Sequence, residues 1–390
     1  MRTLATLLAL GAALMATSCA GDLPEDGGSS GTAFNPNEPA DPDKEPIPEE
    51  AYDILNERVE SPNEALRTAS LKILRRFPTL DEITEVETGG RASYEALLDA
   101  MFETPEFSER MIKWWQDIMR QGGADPGDDR NAAPTLAAQL IVEGRPFMQV
   151  LTATDNCSAY DAANNAFVAA PCNSGAPAEA GVLTNPGVMR QFYGTMAFRR
   201  VRWVQEIFTC RDLPVEEGAT PQDVGGGGSF QGPWAFTSIS GAPVNFLGTD
   251  GVVCANCHQT MNHMAPLFGR FDMDGRYLTD GYGVVTNVNG EAVPSQLEHW
   301  LPAGQTTAWR FGKPAADLPA LGAAIAADPQ VHACMVKRAW NFVMSKEDIV
   351  SAGAIVPDEI VAPFLERFKS GFDLKDTLRA MFKSDDFLKR

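Results

Sequence analysis

Histidine is scarce in this chain: four occur among 390 residues, so any chemistry that needs imidazole rests on a handful of positions. Basic residues are also short, 32 Lys and Arg against 52 Asp and Glu, for a formal net charge of −20. No basic stripe exists to displace counterions from phosphates, which excludes a nucleic-acid-binding protein. Past residue 15 there is no apolar run approaching the roughly 20 residues that span a bilayer, so no transmembrane helix is expected. The glycine run Gly225–Gly228 lacks a following lysine and a strand-to-helix frame, which excludes a phosphate-binding loop. No serine, cysteine or paired-carboxylate constellation announces an independent catalytic centre.

What the chain does have is Cys254-Ala255-Asn256-Cys257-His258. On a helix, cysteines three residues apart share one face, where both thiols can form thioethers to the two vinyl groups of one porphyrin. His258, four residues past Cys254, falls on that face within reach of the iron. The spacing predicts one covalent haem c held by Cys254 and Cys257, with His258 as proximal ligand. A disulfide, or a zinc site completed by His263, fits the same residue types.

The N-terminus reads as a secretory signal: Arg2, then an apolar core from Leu4 to Met15, then the small residues Ala16-Thr17-Ser18 ahead of Cys19. It resembles a bacterial lipoprotein signal, with Cys19 as the lipidated residue. Ala20, where aspartate is absent, implies the outer membrane, facing the periplasm or the cell surface. Export suits haem c, which is attached outside the bacterial inner membrane. It also places the remaining cysteines in an oxidising compartment. Cys157, Cys172, Cys210 and Cys334 admit three pairings. We prefer Cys157 with Cys172, closing a short polar loop, and Cys210 with Cys334, tying two distant helices.

The expected organisation is a signal and lipid anchor (1–19), an acidic Pro/Gly-rich disordered tether (20–50), an N-terminal helical region (51–130), a middle helical region with a disulfide loop (131–224) and a haem-motif and C-terminal helical region (225–390). The fold class is mainly α. Ser61-Pro62-Asn63-Glu64 and Thr79-Leu80-Asp81-Glu82 read as capping boxes, and Thr104-Pro105 opens a further helix. Trp114 and Trp115 fall on an apolar stripe and are assigned to packing. Asn156 to Ala178 reads as a loop, and Pro186 to Cys210 as helix. Its Arg199, Arg200 and Arg202 are suited either to haem propionates or to structural ion pairs. One β-hairpin is expected around Val288-Asn289-Gly290-Glu291. Helices follow at about 318–327, 329–344, 358–369 and 374–382.

The haem motif is followed by Pro266-Leu267-Phe268-Gly269 and Phe271-Asp272-Met273-Asp274-Gly275-Arg276. Together these resemble the haem-motif domain of uncharacterised cytochrome-c-like families of planctomycetes and myxobacteria. Leu74-Arg75-Arg76-Phe77-Pro78-Thr79, Trp114-Trp115-Gln116-Asp117, Gly181 to Pro186, Val331-His332-Ala333-Cys334 and Ser384-Asp385-Asp386-Phe387 look like the families' other segments. The resemblance implies an architecture and a haem but no substrate. The distal iron ligand is expected from a later segment. Met335 is preferred, with His332, His263 and Met273 as further candidates and His299 and Met344 behind them. Trp300, Trp309 and Phe311 would wall the porphyrin. The expected function is electron transfer with an unidentified redox partner protein. The alternatives are a haem enzyme with an open distal site, or a surface scaffold whose C-x-x-C-H is structural or binds zinc.

Overall fold

Proline and hydroxyl residues set the helix starts, and the apolar spacing between them sets what is buried. In the computed structural model the described residues are 57–123, 129–210, 236–237, 243–244, 252–288, 291–294, 301, 305–309, 313–349 and 354–389. The chain divides into two units, Met1–Glu57 and Arg58–Arg390. The expected signal, Cys19 and the 20–50 tether fall in the first, outside the described residues. No helix among the described residues is long and apolar enough to cross a membrane.

The protein is mainly α-helical. Helix α1 (Pro62–Ile73) buries Ala65, Leu66, Ala69 and Ile73, a three-four spacing that lines one face. The capping box expected at Ser61 is not formed, since its side chain caps nothing. Instead the Ser61 amide donates to Leu388 O at the far end of the chain, 2.9 Å away. Helix α2 (Leu80–Met101) does begin with a capping box: Thr79 N donates to Glu82 Oε2 (2.7 Å) and Glu82 N to Thr79 Oγ1 (3.2 Å). It kinks at Gly90, whose φ is +62°. Helix α3 (Pro105–Met119), capped by Thr104, ends at Arg120 in the left-handed conformation. Trp115 is fully buried and Trp114 packs against the core, as expected of that stripe.

Lys72 and Arg110 flank the Phe342 ring, 5.3 and 5.2 Å from its centroid, and Lys72 Nζ donates to Phe342 O at 2.5 Å. Burial, and then the charge of Arg110, lower the Lys72 amine to about 8. The unfolded chain, with an ordinary lysine value of 10.5, binds more protons between those limits. This group's contribution to stability therefore rises with pH across that window. Urea titrations of wild type and Lys72→Met at intervals from pH 7.5 to 10.5 should show the wild type gaining on the variant. A constant difference would refute the assignment.

Helix α4 (Ala132–Val142) packs against α3 and leads through a short helix α5 (Gln149–Thr152) to an antiparallel hairpin, β1 (Ser158–Asp161) and β2 (Ala166–Ala169). The sequence reads this stretch as loop. The turn residues decide otherwise: Asp161 Oδ1 accepts from Ala163 N, and Asn165 takes a left-handed φ of 46°. Cys157 and Cys172 form a disulfide just outside the strands, Cα atoms 5.7 Å apart, and so staple the hairpin's open end.

The expected helix from Pro186 to Cys210 is two helices, α6 (Pro186–Gln191) and α7 (Phe198–Thr209). Between them Gly194 is extended, while Met196 and Ala197 are left-handed. That reversal brings Arg200 on α7 to Met189 O on α6. Short strands β3 (Phe236–Thr237) and β4 (Pro243–Val244) precede α8 (Val252–Gly269). The hairpin β5 (Val285–Val288) and β6 (Glu291–Pro294) pairs Val288 with Glu291, the register expected for a two-residue Asn-Gly connection.

Helices α9 (Leu318–Ala326), α10 (Pro329–Val343), α11 (Asp358–Lys369) and α12 (Leu374–Phe382) lie close to the expected bounds, and a short helix α13 (Asp385–Leu388) follows them. A second disulfide joins Cys210 at the end of α7 to Cys334 on α10, Cα atoms 5.5 Å apart. The two bridges are the pairings preferred on sequence grounds. Residues Arg58–Arg390 form one compact unit, and its buried apolar residues make one cluster. Helix α1 packs on α13, and Tyr94 Oη on α2 donates to Phe382 O on α12.

Candidate functional site

The C-x-x-C-H run lies inside α8, whose backbone is helical from Val252 to Gly269. Cys254, Cys257 and His258 thus occupy positions i, i+3 and i+4 of one helix, which share a face. Their side chains lie outside the described residues. Continuing along that face, Met261 is half-buried and Ala265 and Phe268 are buried in the core.

His263 is elsewhere on the helix. Five residues at about 100° each carry it about 140° round from His258. Its Nε2 lies 2.6 Å from Gln305 Oε1, and its carbonyl accepts from Ala308 N at 3.1 Å. His263 thus stands on a different side of α8 from the positions of Cys254, Cys257 and His258.

Beyond α8 the chain makes a tight loop. Asp272 Oδ1 accepts from Asp274 N and Arg276 N, both at 2.9 Å, and Phe271 bridges to Tyr277 in antiparallel fashion. Gly275 has φ +77°, and a Cβ there would stand 2.1 Å from Pro186 O, so only glycine fits. Met273, at the loop's tip, is 65% exposed.

Arg200 holds this loop to the rest of the protein. It is fully buried, and its guanidinium donates to Met189 O through Nε and Nη2 (2.9 and 2.6 Å), to Phe268 O and Phe271 O through Nη1 (2.8 Å each), and to Asp272 O through Nη2 (2.9 Å). Burial lowers it to about 10, well below an ordinary arginine. Its donors are spent on backbone, so it is not free for haem propionates as the sequence reading allowed. Arg200 lies on the stripe of Val204 and Ile207 at i, i+4 and i+7, the signal in the sequence that sets it apart from Arg199 and Arg202.

The other distal candidates sit in packed positions. Met335 is buried on α10, which packs against α7, α11 and α12. His332 Nε2 donates to Ala326 O at 2.7 Å, and its ring lies 4.9 Å from that of Phe372. Met344 is half-buried against the core at the end of α10. Trp309 is buried with Nε1 donating to Asp328 Oδ2 at 2.9 Å. His299, Trp300 and Phe311 lie outside the described residues. Among the described residues no group of three or more His, Cys, Asp or Glu side chains is placed to hold a metal ion.

The sequence also gave no hint of a cleft of about 250 Å³ lined by Arg120, Phe192, Arg199, Arg202, Trp203 and Glu206. Compared with known protein families, with curated proteins and with solved structures, the chain matches none.

Proposed function

We propose that the protein is an exported, lipid-anchored monohaem c-type cytochrome-like protein that transfers electrons at the outer membrane. The observation that carries this reading is the placement of Cys254, Cys257 and His258 at i, i+3 and i+4 of one unbroken helix. Each thiol would add across one vinyl group, its proton passing to the vinyl carbon as the S–C bond forms, and His258 would bind the iron. The haem supplies a one-electron couple when bound. The chain's own part is to fix the helix that bears the attachment, which it does through α7 and the Arg200 clamp on Phe268, Phe271 and Asp272. Lipid on Cys19 would hold the protein at the membrane. The strong negative charge suits a basic redox partner protein.

The test is expression with the signal intact in a host carrying a c-haem maturation system. A pyridine haemochrome spectrum of two thioether bonds is expected, with covalent haem lost in Cys254→Ala/Cys257→Ala. Exported, folded wild-type protein without covalent haem would sink the proposal.

A second reading draws on the distal candidates. His332 already spends Nε2 on Ala326 O, Met335 is enclosed in the core, and Met273 stands on an exposed tip. Coordination by His332 or Met335 would require taking packed groups out of the core. This favours an iron left open on its distal side, as a haem enzyme needs for peroxide, oxygen or another small ligand. A high-spin ferric spectrum that shifts on adding azide is the expected mark of that state. A low-spin spectrum with a methionine charge-transfer band would reject it.

A further inference from the structure

The cleft beside α7 has the composition of a binding site separate from the haem motif. Arg120, Arg199 and Arg202 stand around it, and its floor is the tilted pair Phe192 and Trp203, ring centroids 5.5 Å apart. Both rings are nearly fully buried, and Trp203 Nε1 is already engaged with Met119 O at 3.0 Å, so the pair presents only a narrow apolar edge to the cleft.

One carboxylate stands among the three guanidiniums and pairs with two of them. Glu206, its side chain only 3% exposed, pairs with Arg120 Nη1 at 2.9 Å and with Arg202 Nε. The two arginines remain 55% and 54% exposed, and Arg199 spends Nη1 on Tyr193 O at 3.1 Å. Each guanidinium carries five N–H donors, so most remain unspent. The lining residues carry three positive charges and one negative, net +2 (3 − 1), in a chain of net charge −20. A low-dielectric floor under a local excess of cations concentrates small anions.

Two local features hold the arginines in place. Arg120 caps α3 in the left-handed conformation, φ 52°, where glycine is the usual residue. At Gly194 a Cβ would stand 2.8 Å from Arg199 Cδ and 3.2 Å from its Cγ, so the missing side chain makes room for the Arg199 stem. Gly194 is in extended backbone, so space and not conformation is what the glycine provides there.

We propose that this cleft binds a small organic dianion, two carboxylates on a compact body, with the carboxylates on the arginine forks and the body against the exposed edge of the Phe192–Trp203 pair. Planar forks match carboxylates in bidentate fashion, and the net +2 charge matches two of them. This site does not depend on haem attachment.

The experiment is isothermal titration of the full exported protein with succinate and phthalate in a carboxylate-free, low-salt buffer. Propionate and inorganic phosphate serve as comparisons. Saturable binding of a dicarboxylate is expected, at least about tenfold tighter than propionate. Arg199→Ala should weaken it at least about tenfold, the usual loss for a charge-assisted pair. Gly194→Ala should weaken it with helical content unchanged, since that residue does not itself touch the ligand. Arg202→Lys keeps the charge but loses the fork and should also weaken binding. No heat from either dicarboxylate at millimolar concentration would overturn the proposal. So would binding unchanged by Arg199→Ala in a folded variant, or phosphate binding as tightly as the dicarboxylates.

Discussion

An Arg200→Ala variant is expected to lose a large part of the protein's cooperative stability, measured as the midpoint of urea unfolding followed by circular dichroism. The side chain satisfies four buried carbonyls at once, those of Met189, Phe268, Phe271 and Asp272. Leaving a buried acceptor unpaired costs about 1–3 kcal/mol; Phe268 O and Asp272 O also accept from the amides of Phe271 and Gly275, so the penalty falls on Met189 O and Phe271 O and sums to about 2 kcal/mol or more. Total stabilities are about 5–15 kcal/mol. Relief from burying a charge offsets part of this, and the lowered Arg200 value shows that such a cost exists. The offset is limited, because the carbonyls stay buried whatever replaces the guanidinium. Arg200→Lys should fall between wild type and alanine, since one ammonium cannot span acceptors on α6, on α8 and in the loop after it. A loss under 1 kcal/mol in the alanine variant would show that the clamp is dispensable.

The second large effect separates the two disulfides. Cys210 and Cys334 are 124 positions apart and Cys157 and Cys172 only 15. On the chain-entropy account, closing the longer loop is worth about 5 kcal/mol and the shorter about 3. Cys210→Ser/Cys334→Ser should therefore lower the unfolding midpoint further than Cys157→Ser/Cys172→Ser. The longer bridge also joins α7 to α10 within the core, so its removal should loosen the support of α8. The shorter staples one hairpin. Limited proteolysis should accordingly cut the first variant at several places and the second only near residues 157–172. Equal losses, or a greater loss from the short-loop pair, would refute this ranking.

Much of the helical framework was legible because it is encoded locally. Thr79 with Glu82, Thr104 with Pro105, and the starts at Leu318, Pro329, Asp358 and Leu374 all stand where the sequence signals them. The Asn-Gly hairpin was legible for the same reason, since a two-residue turn fixes its own register. What escaped depends on distant partners. Ser61 looks like a cap, but its amide is satisfied by Leu388. Arg200 looks like one of three surface arginines until the chain's reversal at Gly194 to Ala197 turns it inward. His263 looks near enough to His258 to share a metal, and helical rotation separates them. The cleft is assembled from residues 120 to 206 with no shared motif, so no linear pattern could reveal it.

The contacts between α1 and α13 have a consequence for the order of folding. Ser61 waits for Leu388, Tyr94 for Phe382, and Cys210 for Cys334. A chain made amino end first cannot complete the contacts of α1 and α2 until the residues near 382–388 are present. Until Cys334 is in place, α7 lacks its bridge to α10, and the packing that supports α8 is incomplete.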